Sequence, residues 1–354
     1  MRKTTQNNND NPYSLTFGRE PARMVSRSGE ISRMVNTFNS RTPSTSVYII
    51  TGVRGSGKTV TMAALIDRLR SEKDWIICTL NPNSDLLASF AANLYEHPKL
   101  KAAFVKADIR LSLGAEVSVR AEGPAPDTEV QIKRMLRVAD KLKKRVLIAV
   151  DEAVNSVNFR IFAGAYQMFL IEKLPVYLIM TGLYKNINAL QNEKTLTFLY
   201  RAPKYELEPL SIVAMSNDYA GTLNIERDEA DAMARLTKGY SYAFQVMGFL
   251  KYDNPGRSYE ELLPLFDEIM EEHCYEKIWA ELTGREKEVV RLLINSEGGR
   301  MRVKDIKAQT GLTDQSFPTY RRRLRGSGVI SVSDYGYCEL ALPRFKDIVS
   351  RWGE

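Results

Sequence analysis

No stretch of the 354-residue chain restricts its fold as much as Thr51–Val60, TGVRGSGKTV. It follows the β-prone run Val47-Tyr48-Ile49-Ile50 and leads into Thr59–Leu69, whose apolar spacing is helical. Gly52, Val53, Arg54, Gly55, Ser56, Gly57, Lys58 and Thr59 satisfy G-x-x-x-x-G-K-[ST] in full, and Val60 continues the first helical turn. Glycines let backbone N–H groups converge on phosphate oxygens, and the helix N-terminus adds partial positive charge. In this motif Lys58 would reach the β- and γ-phosphates, and the Thr59 hydroxyl would ligate Mg²⁺. The alternative is a flexible glycine corner with a surface lysine, and the strand-then-helix setting argues against it.

A nucleoside triphosphate site of this type needs an acidic group at the end of a neighbouring strand. Val146–Val150 is apolar throughout, as a strand buried on both faces must be, and it ends in Asp151-Glu152. Asp151 is expected to hold Mg²⁺ through water, and Glu152 to polarise the attacking water. Taken alone, the pair would pass for an acidic cap after a core strand; the glycine corner upstream gives it the catalytic reading.

The rest of the first two-thirds alternates strand and helix. Strands are expected at Val47–Ile50, Trp75–Leu80, Val146–Val150, Val176–Met180 and Tyr205–Leu207. Helices are expected at Thr59–Leu69, Asp85–Tyr95, Glu129–Leu142 and Phe159–Leu170. Such alternation predicts an α/β fold, a parallel sheet covered by helices on both faces. A period-two stretch about Gly114 reads as an inserted hairpin. After Pro209 the pattern is helical only, at Ser211–Ala220, Arg227–Leu236, Tyr242–Leu250 and Tyr259–Glu272. The expected organisation is a flexible polar tail over residues 1–20, a nucleotide-binding core over 21–210, a helical lid over 211–280 and a third domain over 281–354.

Composition sets the outer limits. Cys78, Cys274 and Cys338 lie far apart, which gives neither a disulfide framework nor metal-ligand spacing and favours a reducing cytoplasm. With only His97 and His273, a histidine-based metal or triad site is not expected. No apolar run approaches the roughly 20 residues of a membrane span. The net charge of +7 is uneven: residues 283–354 carry 14 Lys and Arg against 9 Asp and Glu, which points to a polyanionic partner there.

Several ordered stretches together resemble a known family. They are NPYSLTFGREPARMVSRSGEI, the glycine corner, the Asp151-Glu152 pair, MTGLYKNI, FLYRAPKYELEPL and TKGYSYAFQVMG. Over roughly residues 11–250 the chain looks like a bacterial AAA+ ATPase of the branch related to origin-recognition-complex ATPases. That resemblance implies ATP and Mg²⁺ as ligands. It implies that Thr181 orients the attacking water, although a threonine ending a strand also suits a turn cap. It implies Arg201 as an arginine finger acting across a homo-oligomer, against the alternative of a surface or ion-paired arginine. Two departures stand out. Gly239-Tyr240-Ser241-Tyr242 occupies the place where many relatives put an arginine after Gly-x-Pro, and Ser26-Arg27 the place where they commonly have Gly-Arg.

The basic third domain has the rhythm of a winged helix-turn-helix. Val303–Gln309 is a helix, Gly311 a turn, Thr313 a cap for the next helix, and the residues about Tyr335-Gly336 two short strands. On the candidate recognition helix, Ser316, Thr319, Tyr320 and Arg323 share a face, flanked by Arg321, Arg322 and Arg325. That set suits the major groove of double-stranded DNA. Two functions follow: an ATPase that couples ATP binding and hydrolysis to action on DNA, or a slowly hydrolysing signalling or scaffold protein whose winged helix grips a protein.

Overall fold

Runs of apolar residues too short for a helix and flanked by turns become the centre of a sheet. The structure, a computed structural model, describes residues 11–16, 23, 25, 27–109, 127–194, 196–332 and 334–352. The stretch about Gly114 that reads as a hairpin lies almost wholly outside them. The described residues fall into two compact units, those lying within 27–51 and 58–207 in one and those within 11–25, 52–57 and 208–352 in the other.

In the first unit the elements follow as α1 (Ser28–Asn39), β1 (Val47–Thr51), α2 (Lys58–Arg70), β2 (Trp75–Leu80), α3 (Leu86–Tyr95), α4 (Pro98–Lys106) and α5 (Thr128–Lys141). Then come β3 (Arg145–Val150), α6 (Val157–Ile171), β4 (Val176–Gly182), α7 (Tyr184–Gln191), α8 (Thr197–Arg201) and β5 (Lys204–Glu206). The strands form a parallel sheet in the order β2-β3-β4-β1-β5. Alternate side chains serve the two faces. Val146, Ile148 and Val150 of β3 join Leu178 and Met180 of β4 beneath α3, α5 and α6. Leu147, Ala149 and Ile179 face α1 and α2 through Met34, Phe38, Leu65 and Leu69. A residue such as Ile148, wholly buried, would cost about 2–5 kcal/mol if truncated to alanine.

Register decides which strand ends meet. Ile50 pairs with Thr181 and Val150 with Met180, so the carboxyl ends of β1, β3 and β4 stand side by side. In open α/β sheets that edge is where ligands bind.

The second unit continues with α9 (Ile212–Leu223), α10 (Arg227–Leu236), α11 (Ser241–Asp253), α12 (Leu263–Met270), a π turn at Glu271–Tyr275, α13 (Glu276–Glu281) and α14 (Gly284–Asn295). It ends with β6 (Arg300–Arg302), α15 (Val303–Thr310), α16 (Phe317–Gly326), β7 (Ile330–Ser331), β8 (Tyr337–Leu340) and α17 (Phe345–Val349). The three strands pair antiparallel in the order β6-β8-β7. Thr283 and Glu286 close a capping box at the start of α14, as their spacing predicts. Tyr259–Glu272 is not the single helix expected, because a 3-10 turn precedes α12 and the π turn follows it. Thr313 does not cap α16 directly. That helix opens at Phe317, with Thr313 Oγ1 accepting from Ser316 N at 3.2 Å in the turn before it.

One expectation is overturned at the N-terminus. Residues 11–16, read as part of a free tail, are bound to α9 and α11. The Tyr13 ring is 1% exposed, stands 5.6 Å from that of Phe244 and donates its hydroxyl to Asp218 at 2.8 Å. Asn11 Nδ2 donates to Phe249 O at 3.0 Å, and Ser14 N to Gln245 Oε1 at 2.9 Å. One tyrosine packs against Tyr219 and Phe244, a place that composition alone assigns to nothing. Among the described residues, no helix is long and apolar enough to cross a membrane.

Candidate nucleotide site

The β3 carboxyl end presents Asp151 at the sheet edge. Its Oδ2 accepts the Thr59 hydroxyl, from the first turn of α2, at 2.8 Å. Its Oδ1 accepts the Thr181 hydroxyl, from the end of β4. The same oxygen also receives Glu152 N at 3.1 Å, and Glu152 N lies 3.1 Å from Thr181 Oγ1 as well. Ala153 N then donates to Thr181 O at 2.8 Å, which ties the chain after β3 to β4. Thus Thr59, Asp151, Glu152 and Thr181, drawn from three separate elements, converge on one carboxylate.

Glu152 leaves that cluster through an unusual backbone. Its φ is +54°, in the left-handed region that a residue with a Cβ enters at a cost of about 1–3 kcal/mol. The hydrogen bonds to its N–H hold the turn, and the side chain is exposed at the sheet edge. Thr181, by contrast, is wholly buried, and Lys58 at the start of α2 is 9% exposed.

Lys58, the last residue but one of the glycine corner, opens α2. Gly55 and Gly57 have φ of +76° and +87°. Ser56 N closes a turn to Val53 O at 3.2 Å. The Ser56 hydroxyl is buried and bonds to none of the described groups, as a donor kept for a ligand oxygen would be. For Mg²⁺ the fit rests on Thr59 and Asp151, a hydroxyl and a carboxylate in contact. That pair is the kind of oxygen set this ion takes from a protein when phosphates supply other ligands.

Other expected site residues fall elsewhere. Arg201 ends α8 and is exposed, next to Tyr200 at 72% exposure, and is not part of the Asp151 cluster. On α16, Thr319, Arg322, Arg323 and Arg325 are exposed, while Tyr320, and Ser316 just before the helix, are half-buried. Arg321, expected to flank the shared face with Arg322 and Arg325, is less exposed than those two. It is half-buried, its Nε is sequestered, and it lies beside the buried thiol of Cys338. Burial pushes that thiol up, and Arg321 offsets part of the shift. Arg300 and Arg302, on β6, flank the ring of Tyr337, Arg300 at 4.2 Å from its centroid. Sequence reasoning missed Tyr240, Ser241 and Tyr242, which bond the backbone of the glycine corner; the only signal was the arginine missing there.

Two kinds of likeness accompany this geometry. A family model described as a domain of unknown function (DUF8462) matches residues 272–349, from the π turn to α17. A search of curated proteins finds no match. Among solved structures, the Walker-type ATPase paby2304 of Pyrococcus abyssi superposes with a TM-score of 0.62 at 14% identity, covering 92% of this chain and 96% of that one. The ORC2 protein of Aeropyrum pernix, solved as ADPNP-ADP complexes, superposes at 0.59 with 13% identity, covering 95% and 96%.

Proposed function

Its fold being that of an AAA+ P-loop ATPase of the origin-recognition type, this chain, we propose, binds and hydrolyses ATP and couples that cycle to a DNA-associated task. The observation that carries the ATP reading is the Asp151 carboxylate, shared by the hydroxyls of Thr59 and Thr181. In this reading Gly52–Gly57 with Lys58 hold the triphosphate, and Thr59 and Asp151 hold Mg²⁺. When bound, that ion neutralises charge on the β- and γ-phosphates. Glu152 takes the proton of the attacking water, and Thr181, fixed by Asp151, keeps that water in line. Arg201 is exposed, as a residue completing a neighbouring subunit's site in a homo-oligomer has to be.

The DNA part rests on residues 283–354. Their helices and β6-β8-β7 sheet follow the order of a winged helix-turn-helix, and Arg322, Arg323 and Arg325 project from α16. Arginines on such a helix meet phosphates and guanine edges of double-stranded DNA. In this reading the protein works in the cytoplasm, with no membrane partner. A second reading keeps ATP binding but makes turnover slow and the partner a protein; Tyr242 in the place of a lid arginine favours it. Duplex DNA titrated into the full chain with ATP, with ADP and without nucleotide separates the two. Nucleotide-dependent duplex binding supports the first reading, and none at low salt supports the second.

A further inference from the structure

The start of α11 grips the glycine corner by its backbone. Tyr240 Oη donates to Arg54 O. Tyr242 N donates to Gly55 O at 3.1 Å, and Ser241 Oγ to Ser56 O at 3.0 Å. Three successive carbonyls are therefore held on one side of the loop. In a trans peptide the N–H points opposite to the C=O, so these bonds also aim the following N–H groups away from α11. Fixing those planes is what a loop that binds anions through N–H groups requires.

Glycine at position 55 is needed for this grip. A Cβ there would collide with the Tyr240 hydroxyl and lie 3.0 Å from Tyr242 Cβ. Burial pushes the Tyr240 phenol far up, so it stays protonated and donates at any physiological pH. Tyr242 is anchored from behind, its hydroxyl 2.6 Å from His273 Nδ1 in the π turn.

A second hold comes from beyond α16. Gly328 has a φ of +70°, and its backbone rests on Val53: a Cβ at 328 would overlap the valine, lying 2.7 Å from Val53 Cβ. Arg54 adds an ion pair to Glu281, at the end of α13, at 3.2 Å. All of these contacts fall within one compact unit.

We propose that Tyr240 and Gly328 are positioning residues for the phosphate loop, setting its peptide planes for the triphosphate where a lid arginine is missing. This rests on the ATP reading above and extends it to residues that touch no phosphate. It also ties the loop to the segment that ends the arginine-bearing helix.

The test is MgATP affinity of the full chain by calorimetry. Tyr240→Phe keeps the ring and deletes one hydrogen bond, and is expected to weaken MgATP about fivefold. Gly328→Ala drives a methyl into Val53 and is expected to weaken it at least about tenfold, with Val53→Gly added to it, which removes both the γ carbons and the Cβ, restoring part of the affinity. Where Gly328→Ala does not fold, Tyr240→Phe decides. Wild-type affinity in Tyr240→Phe, together with either wild-type affinity in Gly328→Ala or a weakening there that Val53→Gly does not reverse even in part, overturns the proposal alone. Failure of the wild-type chain to bind MgATP overturns the ATP reading and this proposal together.

Discussion

The Thr59 hydroxyl lies 2.8 Å from Asp151 Oδ2, although 92 positions separate the two residues. That hydrogen bond joins the first turn of α2 to the acidic end of β3, where a metal ion and a triphosphate would meet.

Asp151→Asn removes the charge and keeps the shape. One amide oxygen cannot accept from both Thr59 and Thr181 on opposite edges, because the other edge becomes an NH₂ donor. Steady-state ATPase should fall by about 10²-fold or more, since a charged hydrogen-bond acceptor and a metal-binding carboxylate disappear together. Nucleotide binding without Mg²⁺ should change little. A variant with full Mg²⁺-dependent turnover would show that the shared carboxylate is structural.

Glu152 separates chemistry from strain. Glu152→Gln should lower turnover by about 10²–10⁴-fold and leave ATP bound, as expected for removal of a general base. Glu152→Gly should lose turnover too, yet gain about 1 kcal/mol of stability, because glycine takes up a φ of +54° without penalty. Denaturant unfolding beside single-turnover assays reads both; a destabilised Glu152→Gly protein would refute the backbone argument.

On α16, burial divides the arginines. Replacing Arg322, Arg323 and Arg325 together by alanine should weaken duplex DNA binding and flatten its log–log salt slope by about 0.9 for each phosphate no longer neutralised. Arg321→Ala should lower the melting temperature and leave that slope alone, given its place beside Cys338. An Arg321 variant of wild-type stability with a reduced slope would return it to the DNA face.

Tyr13 is expected to matter for stability rather than chemistry. Tyr13→Ala empties a site among Tyr219, Phe244 and Gly248 and should cost about 3–5 kcal/mol in chemical denaturation. Deletion of residues 1–16 should match it, whereas a truncated chain as stable as the full one would mean that this strap contributes nothing.

Much of the first unit is legible in the sequence because a strand buried on both faces has to be apolar throughout, and β1, β3 and β4 very nearly are. Asp151 and Glu152 follow from where β3 ends. The sheet order does not, since nothing in Val176–Met180 says that β4 sits between β3 and β1. Hence the Asp151–Thr181 bond is visible only in three dimensions. Tyr13 escaped because one aromatic residue in an Asn-rich stretch has no period to betray it. Arg321 escaped because helical spacing assigns a face to a Cα, while a long side chain can fold back under its neighbours. The grip of Tyr240 on the loop was hidden for another reason: it goes to backbone carbonyls, which carry no sequence signal.

The most direct measurement is MgATP binding to Lys58→Ala compared with the wild-type chain at equal folded concentration. Removal of a charged hydrogen-bond donor to phosphate should weaken binding by about 10–100-fold and abolish turnover. An unaltered affinity in a folded Lys58→Ala protein would mean that the triphosphate, if bound at all, does not lie on the glycine corner.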